Sequence, residues 1–322
     1  MPKTGFVGAG TTGTALAVRL SQKGWLVAGA SSRTLSSAQK LASRVPDCQA
    51  YGTAQELADV AEMVFITTPD DVIGQVCSEV HWHKGQSVLH CSGAHSVDIL
   101  EPAKKLGAAV GSFHPLQTFA DIDQAIANLP GSTFAVEAEE PLLSTLKELT
   151  QLLSGNWVKL RSGDKVLYHV AAVFACNYLV TLVKLALDLW KDFGVSSKEA
   201  TTALLPLLRG TLNNIDSIGL PDCLTGPIAR GDLGTIERHL RVLAVRNPCL
   251  LTAYKELGLQ TIPIALAKGK VNERKAEEMR LLFGRPDFEP CHSEGAEQPK
   301  NLAGARPRQG LRNRGDSSLR SE

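Results

Sequence analysis

The chain has 322 residues, 43% of them hydrophobic and 21% charged, with a formal net charge of +1. That length exceeds one ordinary domain and suits two, and the near-neutral charge gives no electrostatic reason to expect nucleic acid or an anionic membrane as partner. The seven cysteines (Cys48, Cys77, Cys91, Cys176, Cys223, Cys249, Cys291) form no CxxC pair. They read as reduced thiols of a cytoplasmic protein, and residues 1–8 enter a strand-like run with no secretory leader.

In chain order, the first half alternates short apolar runs with helical ones. Strands are predicted at 4–8, 25–30, 63–69, 87–92, 108–113 and 132–138, with helices between them such as 12–23 and 34–44. This is the pattern of a parallel sheet covered by helices, with functional loops at the carboxyl ends of the strands. After about residue 160 the strand period is gone and helices are predicted at 164–193, 197–214, 233–244, 248–268 and 272–283. The expected fold is therefore α/β: an N-terminal Rossmann dinucleotide-binding domain over 1–160, then an all-helical substrate and dimerisation domain over 161–284. The boundary falls near "KLRSGDK" (159–165). Residues 285–322 hold almost no large apolar side chain after Phe288, and are expected to be a disordered, mildly basic tail.

The run "GFVGAGTTGTALAVRL" places Gly8, Gly10 and Gly13 in GxGxxG spacing between a strand and a helix. The first glycine permits a tight turn, the second lets backbone approach a pyrophosphate, and the third lets helix and strand pack closely. Thr11 and Thr12 lie in the same turn. At the end of the second strand, "AGASSRTLSSA" offers no acid for the ribose hydroxyls. Ser31, Ser32, Arg33 and Thr34 offer hydroxyls and a guanidinium instead, which suits the 2′-phosphate of NADP (NADPH) rather than NAD. Thr67, Thr68 and Pro69 end the third predicted strand where a loop would cross the cofactor, and Asp70 and Asp71 read as caps of the next helix.

"VLYHVAAVFACNYLV" (166–180) is nearly all apolar yet carries His169 and Asn177, with Lys165 one helical turn before the histidine. The run approaches the length of a membrane span, but its polar residues favour a buried helix in a soluble core. His169 is the predicted general acid, Asn177 a substrate-orienting amide, and Lys165 either a carboxylate anchor or a neighbour that lowers the His169 pKa. A satisfied core histidine is the plain alternative. Ser92 and His95 in "HCSGAHS" and His114 in "SFHPL" end predicted strands and are expected near substrate. A metal site from His90, Cys91, His95 and His114 is disfavoured, because alternation sends His90 and Cys91 to opposite faces of their strand. Arg230 in "LTGPIARGD" could bind a substrate carboxylate, and Asp232 is placed to cap the helix that follows.

Taken together, the Gly8 turn, "TTPDD", "HCSGAHSVDIL", "GSFHPLQTF", "LYHVAAVFACNYLV" and "LTGPIARGD" resemble the Rossmann-like proteins carrying DUF2520. That group is similar to the 6-phosphogluconate-dehydrogenase-like superfamily, with ketopantoate reductase, pyrroline-5-carboxylate reductase and prephenate dehydrogenase. The resemblance implies an NADP-dependent oxidoreductase with a small-molecule substrate, a 2-oxo acid first, bound in a cleft between the domains of a homodimer. Aligning Asn177 with the last Asn of the ketopantoate reductase pattern K-x-x-x-N-x-x-x-N puts His169 at the Lys and Val173 at the middle Asn, so ketopantoate itself fits poorly. The "HPL" at His114 is similar to the H-P-M of prephenate dehydrogenases. A prephenate-dehydrogenase-like or pyrroline-5-carboxylate-reductase-like enzyme, or a non-catalytic NADP-binding redox sensor, are the alternatives.

Overall fold

In the computed structural model, residues 1–285 are described, and the expectation of a disordered tail lies outside them except at Arg285. The chain divides into two compact units, Met1–Phe193 and a second from Gly194 onward. The division follows the long 164–191 helix instead of preceding it at 160. The reason is that the first turns of that helix are tied to the sheet by Lys165 and Tyr168.

The first unit is built on one sheet of eight strands: β1 (Thr4–Val7), β2 (Val27–Ser31), β3 (Gln49–Tyr51), β4 (Met63–Ile66), β5 (Ser87–His90), β6 (Ala109–Leu116), β7 (Thr133–Ala138) and β8 (Asn156–Lys159). Their order across the sheet is β3-β2-β1-β4-β5-β6-β7-β8. Every neighbouring pair is parallel except β6–β7. Six of these strands match the predicted ones. The two that do not, β3 and β8, are the sheet edges; β8 is exposed along its whole length, so neither shows a buried period to read.

Side-chain alternation sorts the core into two layers. One face carries Phe6, Phe65, Phe113 and Phe134, whose rings follow one another at 5.2, 6.1 and 4.5 Å between centroids. The other carries Val7, Val64, Ile66 and Val88. On β5 and β6, where His90 pairs with Ser112, alternation from Val88 and Phe113 sends His90, Ser112 and His114 to this second face. Cys91 packs against the phenylalanine layer, on the opposite side from His90.

The second unit has helices at Ser197–Ser217, Pro227–Arg230, Leu233–Arg246, Pro248–Ala267 and Glu273–Phe283. Ser196 and Glu199 form a capping box, and the Asp232 carboxylate accepts from Thr235 N–H at 3.0 Å, the cap read from the sequence. Gly258 leaves room for Phe283, since a Cβ there would stand 2.4 Å from the ring.

The helix Asp164–Lys191 departs from its expected setting. It is long and apolar enough to cross a membrane by length and composition, yet the chain does not bury it. Leu167, Phe174 and Val180 are 75%, 66% and 68% exposed, so the described residues do not bury it as the expected core helix.

Candidate active site

Around Gly8 the backbone itself explains the glycines. Gly8 has φ +110°, and a Cβ there would stand 2.7 Å from the Thr67–Thr68 backbone. A Cβ on Gly13 would stand 2.4 Å from both the Gly8 carbonyl oxygen and Thr67 Oγ1. Gly10 meets nothing within 4 Å and is exposed: the open side of the turn. It is also the N-cap of the helix Thr11–Gln22, with no side-chain cap, so the first N–H groups of that helix stay available to an anion. Thr67 is used within the turn, its hydroxyl donating to the Gly8 carbonyl at 2.6 Å.

Two buried hydroxyls at this edge, Ser31 Oγ and Thr68 Oγ1, have no hydrogen-bond partner among the described residues. Buried polar groups are ordinarily paired, so orphans beside an open glycine turn fit a ligand rich in oxygen acceptors. Ser32 is half-buried and Arg33 exposed just beyond them, while Pro69 is exposed in the loop after β4. A nicotinamide dinucleotide phosphate fits this edge: Gly8 to Gly13 with Thr11 and Thr12 would hold the pyrophosphate, and Ser31, Ser32 and Arg33 the adenosine end.

The second polar cluster, at the ends of β5 and β6, is closely bonded. Ser92 is buried; its hydroxyl donates to Asp70 Oδ2 at 2.7 Å and accepts from the N–H groups of Ala94 and His95 at 3.1 and 3.0 Å. Asp70 therefore holds the Ser92 loop, a correction to its expected role as a helix cap; the short helix it opens has no side-chain cap. Glu137 on β7 holds the other end of the loop, accepting from Ser96 Oγ and Val97 N–H at 2.8 and 3.2 Å. Only the loop backbone of His95 is anchored; its side chain is exposed.

Lys165 enters this cluster from the helix. It is 1% exposed and donates to the Ser92 carbonyl at 2.9 Å and to Ser112 Oγ. Burial brings its pKa down to about 8, against the pull of Glu137, Cys91 and Asp70. The expected carboxylate anchor is thus a buried clamp with two hydrogen bonds already made. Its charge acts on His114 and His90, whose pKa values are both lowered to about 3, first by burial and then by Lys165. Burial also pushes the Cys91 thiol up to about 12, leaving it unreactive.

His114 lies inside β6 rather than at its end, and its Nδ1 is 2.7 Å from the Tyr168 hydroxyl. A Cβ on Gly93 would stand 2.8 Å from His114 Nε2 and 2.9 Å from His169 Nδ1. The missing side chain lets both imidazoles face one small space above the loop. His169 Nδ1 is buried there without a partner. Sequence reasoning placed Gly93 with Ser92 and His95 at the ligand edge, and missed Tyr168, Ser112 and Glu137.

Asn177, on the same helix, is exposed. A π turn spans Val173–Asn177, closed by Tyr178 N–H donating to the Val173 carbonyl. In a regular α-helix residue 177 would sit about 80° around from His169, and the additional residue of the π turn rotates it back towards the same side. Arg230 is exposed at the end of Pro227–Arg230 in the second unit. A cavity of about 530 Å³ lies beyond Glu137, lined among others by Lys104, Lys159 and Arg161 and not by the cluster histidines. Among the described residues no group of three or more His, Cys, Asp or Glu is arranged to hold a metal ion.

Residues 2–115 match the Rossmann-like domain family, and residues 132–261 match the domain of unknown function DUF2520. The chain thus carries a match to each of the two family models. Comparison with curated proteins gives no match. Among solved structures, the chain is similar to a Bacteroides fragilis protein assigned as an NADP oxidoreductase: 25% identity, 81% of this chain and 98% of that one, TM-score 0.65. It is likewise similar to the Thermotoga maritima protein TM1727, at 27% identity, 83% and 99% coverage and TM-score 0.66. The fold is shared with a reductive aminase from Aspergillus terreus in complex with NADPH and ethyl-5-oxohexanoate, at 15% identity, 90% and 97% coverage and TM-score 0.57.

Proposed function

We propose that the protein is an NADP-dependent oxidoreductase that reduces a small carbonyl compound, a 2-oxo acid first. The observation that carries this reading is the pair of imidazole nitrogens, His114 Nε2 and His169 Nδ1, that face one space over Gly93 in the unit that holds the Gly8 turn. Bound NADPH supplies a hydride; the chain must then supply a proton and hold the reacting oxygen or nitrogen. Two imidazoles over a side-chain-free backbone suit that task, since each ring can carry a proton on one nitrogen while the other accepts a hydrogen bond. The orphaned Ser31 and Thr68 hydroxyls, and Arg33 in place of an acid, support the phosphorylated cofactor.

Imine reduction is the second reading. It is favoured by Lys165 being committed to Ser92 and Ser112, which removes the nearest cation from a substrate carboxylate, and by the fold shared with the reductive aminase. Titration calorimetry with NADPH and NADH tests the cofactor; equal binding of both, or of neither, refutes it. Following NADPH absorbance across one panel of 2-oxo acids and one of ketone–amine mixtures separates the two substrate classes. A protein that binds NADPH and reduces nothing is the redox sensor instead.

We also propose that a second copy covers the exposed apolar side chains of Asp164–Lys191. Patches of that size are rarely left in water, and Lys184, Asp188 and Lys191 on the same helix oppose a lipid setting. Sedimentation of the purified chain as a monomer, or its co-sedimentation with lipid vesicles, refutes the dimer.

A further inference from the structure

Either imidazole over Gly93 could hand over the proton, and the surroundings separate them. Among the described residues His169 Nδ1 has no partner, so no side chain stands behind it to return a proton. His114 is backed by Tyr168: the hydroxyl lies 2.7 Å from Nδ1, and the two rings meet edge to face with centroids 5.6 Å apart. The phenol is half-buried, and burial raises its pKa to about 12, so it keeps its proton. A hydroxyl that keeps its proton beside an imidazole nitrogen can donate to it.

Resting on the oxidoreductase reading, we propose that His114 is the proton donor and that Tyr168 is a positioning residue that sets its tautomer and refills it. With Tyr168 O–H donating to Nδ1, the single proton of neutral His114 resides on Nε2, the nitrogen that faces the space over Gly93. As hydride from reduced nicotinamide forms the new C–H bond, the C=O or C=N π pair takes the Nε2 proton. The Tyr168 proton moves to Nδ1, leaving a neutral imidazole and a phenolate that water reprotonates. His169 Nδ1 holds the same substrate heteroatom from its other side. Lys165 contributes by keeping His114 uncharged, so that the ring can pass a proton through.

The experiment uses the full chain with NADPH and the best compound from the two panels. Tyr168→Phe is expected to lower kcat by about 10- to 100-fold with KM changed less than about threefold and NADPH affinity unchanged. In mixtures of light and heavy water, the wild-type rate should curve with deuterium content, as for two protons in flight, and the variant rate should be linear. A ring that merely packs against His114 would not change that curvature. Should Tyr168→Phe lose its NADPH affinity through misfolding, 3-fluorotyrosine at 168 keeps the hydroxyl and should retain the curved dependence. Wild-type kcat and curvature in Tyr168→Phe, or a linear dependence in the wild type, overturn the relay alone. A wild type that binds NADPH and reduces nothing overturns the oxidoreductase reading and the relay with it.

Discussion

At the ends of β1, β2 and β4 the buried hydroxyls of Ser31 and Thr68 have no partner, and the turn is shaped by glycine. At the ends of β5 and β6 Ser92, Ser112 and Lys165 are bonded to one another and to Asp70, and the buried atoms left unpartnered are imidazole nitrogens, His90 Nε2 and His169 Nδ1. The first edge is a cradle that awaits a ligand's acceptors and donors. The second is a scaffold whose internal bonds leave two ring nitrogens facing one point. On the proposed function the difference separates binding from chemistry: a cofactor site can be left incomplete until its ligand arrives, whereas groups that handle protons must be held in place beforehand.

The largest effect that could break this contrast is expected in the glycine turn. Gly13→Ala pushes a methyl to 2.4 Å from the Gly8 carbonyl and Thr67 Oγ1, so backbone must move. A loss of about 3 kcal/mol in urea unfolding is expected, together with loss of NADPH binding. Gly10→Ala adds a methyl to open space and should leave stability within about 0.5 kcal/mol, while NADPH binding falls at least about tenfold. If Gly10→Ala binds NADPH normally, the open side of the turn is not where the pyrophosphate lies.

The scaffold can be tested through pH. His90 and His114 have folded pKa values lowered from 6.5 to about 3. Below pH 6.5 the unfolded chain takes up protons that the folded chain refuses, so stability falls as pH drops from 6.5 towards 3, by up to about 1.4 kcal/mol per unit for each ring. Lys165 acts at the other end: its folded pKa of about 8 lies below the ordinary 10.5, so the unfolded chain binds more protons between those values and stability rises with pH across them. Lys165→Met should abolish that alkaline rise and soften the acid loss by removing the charge that holds the histidines neutral. Unfolding midpoints measured in both windows check the two signs separately, and an unchanged alkaline slope in Lys165→Met would remove Lys165 from the account.

The same contrast explains what could be read in advance. The glycine turn, the serines after β2 and the six inner strands follow from local spacing, because each depends on backbone within a few residues. His169 was readable as a polar residue in an apolar run, and His114 as a histidine at the end of a predicted strand. What joins them was not. Lys165 meets the Ser92 carbonyl across 73 residues and Ser112 across 53, and His114 meets Tyr168 across 54. No local period encodes such contacts. Asp70 was misjudged on the same ground: an acid before a helix resembles a cap until Ser92 comes within 2.7 Å of it. The exposed Asp164–Lys191 helix shows the converse limit, since its composition reads as a buried helix while the described residues leave it exposed.

The smallest expected effect lies at the outer rim of the cradle. Arg33 is exposed, beyond the buried Ser31 and the half-buried Ser32. An exposed guanidinium contributes to phosphate binding mainly through a charge that water and salt screen. Arg33→Ala should therefore weaken NADPH binding about tenfold, roughly 1.4 kcal/mol, and leave NADH binding unchanged. The difference between the two cofactors should shrink as salt is raised in the parent protein and stay flat in the variant. Ser31 behaves otherwise, because its hydroxyl is buried and unpaired: Ser31→Ala removes an orphan, so the free protein should hold or gain stability while NADPH affinity falls independently of salt. If both variants respond to salt alike, Ser31 and Arg33 do not divide the phosphate end between a buried hydrogen bond and a screened charge.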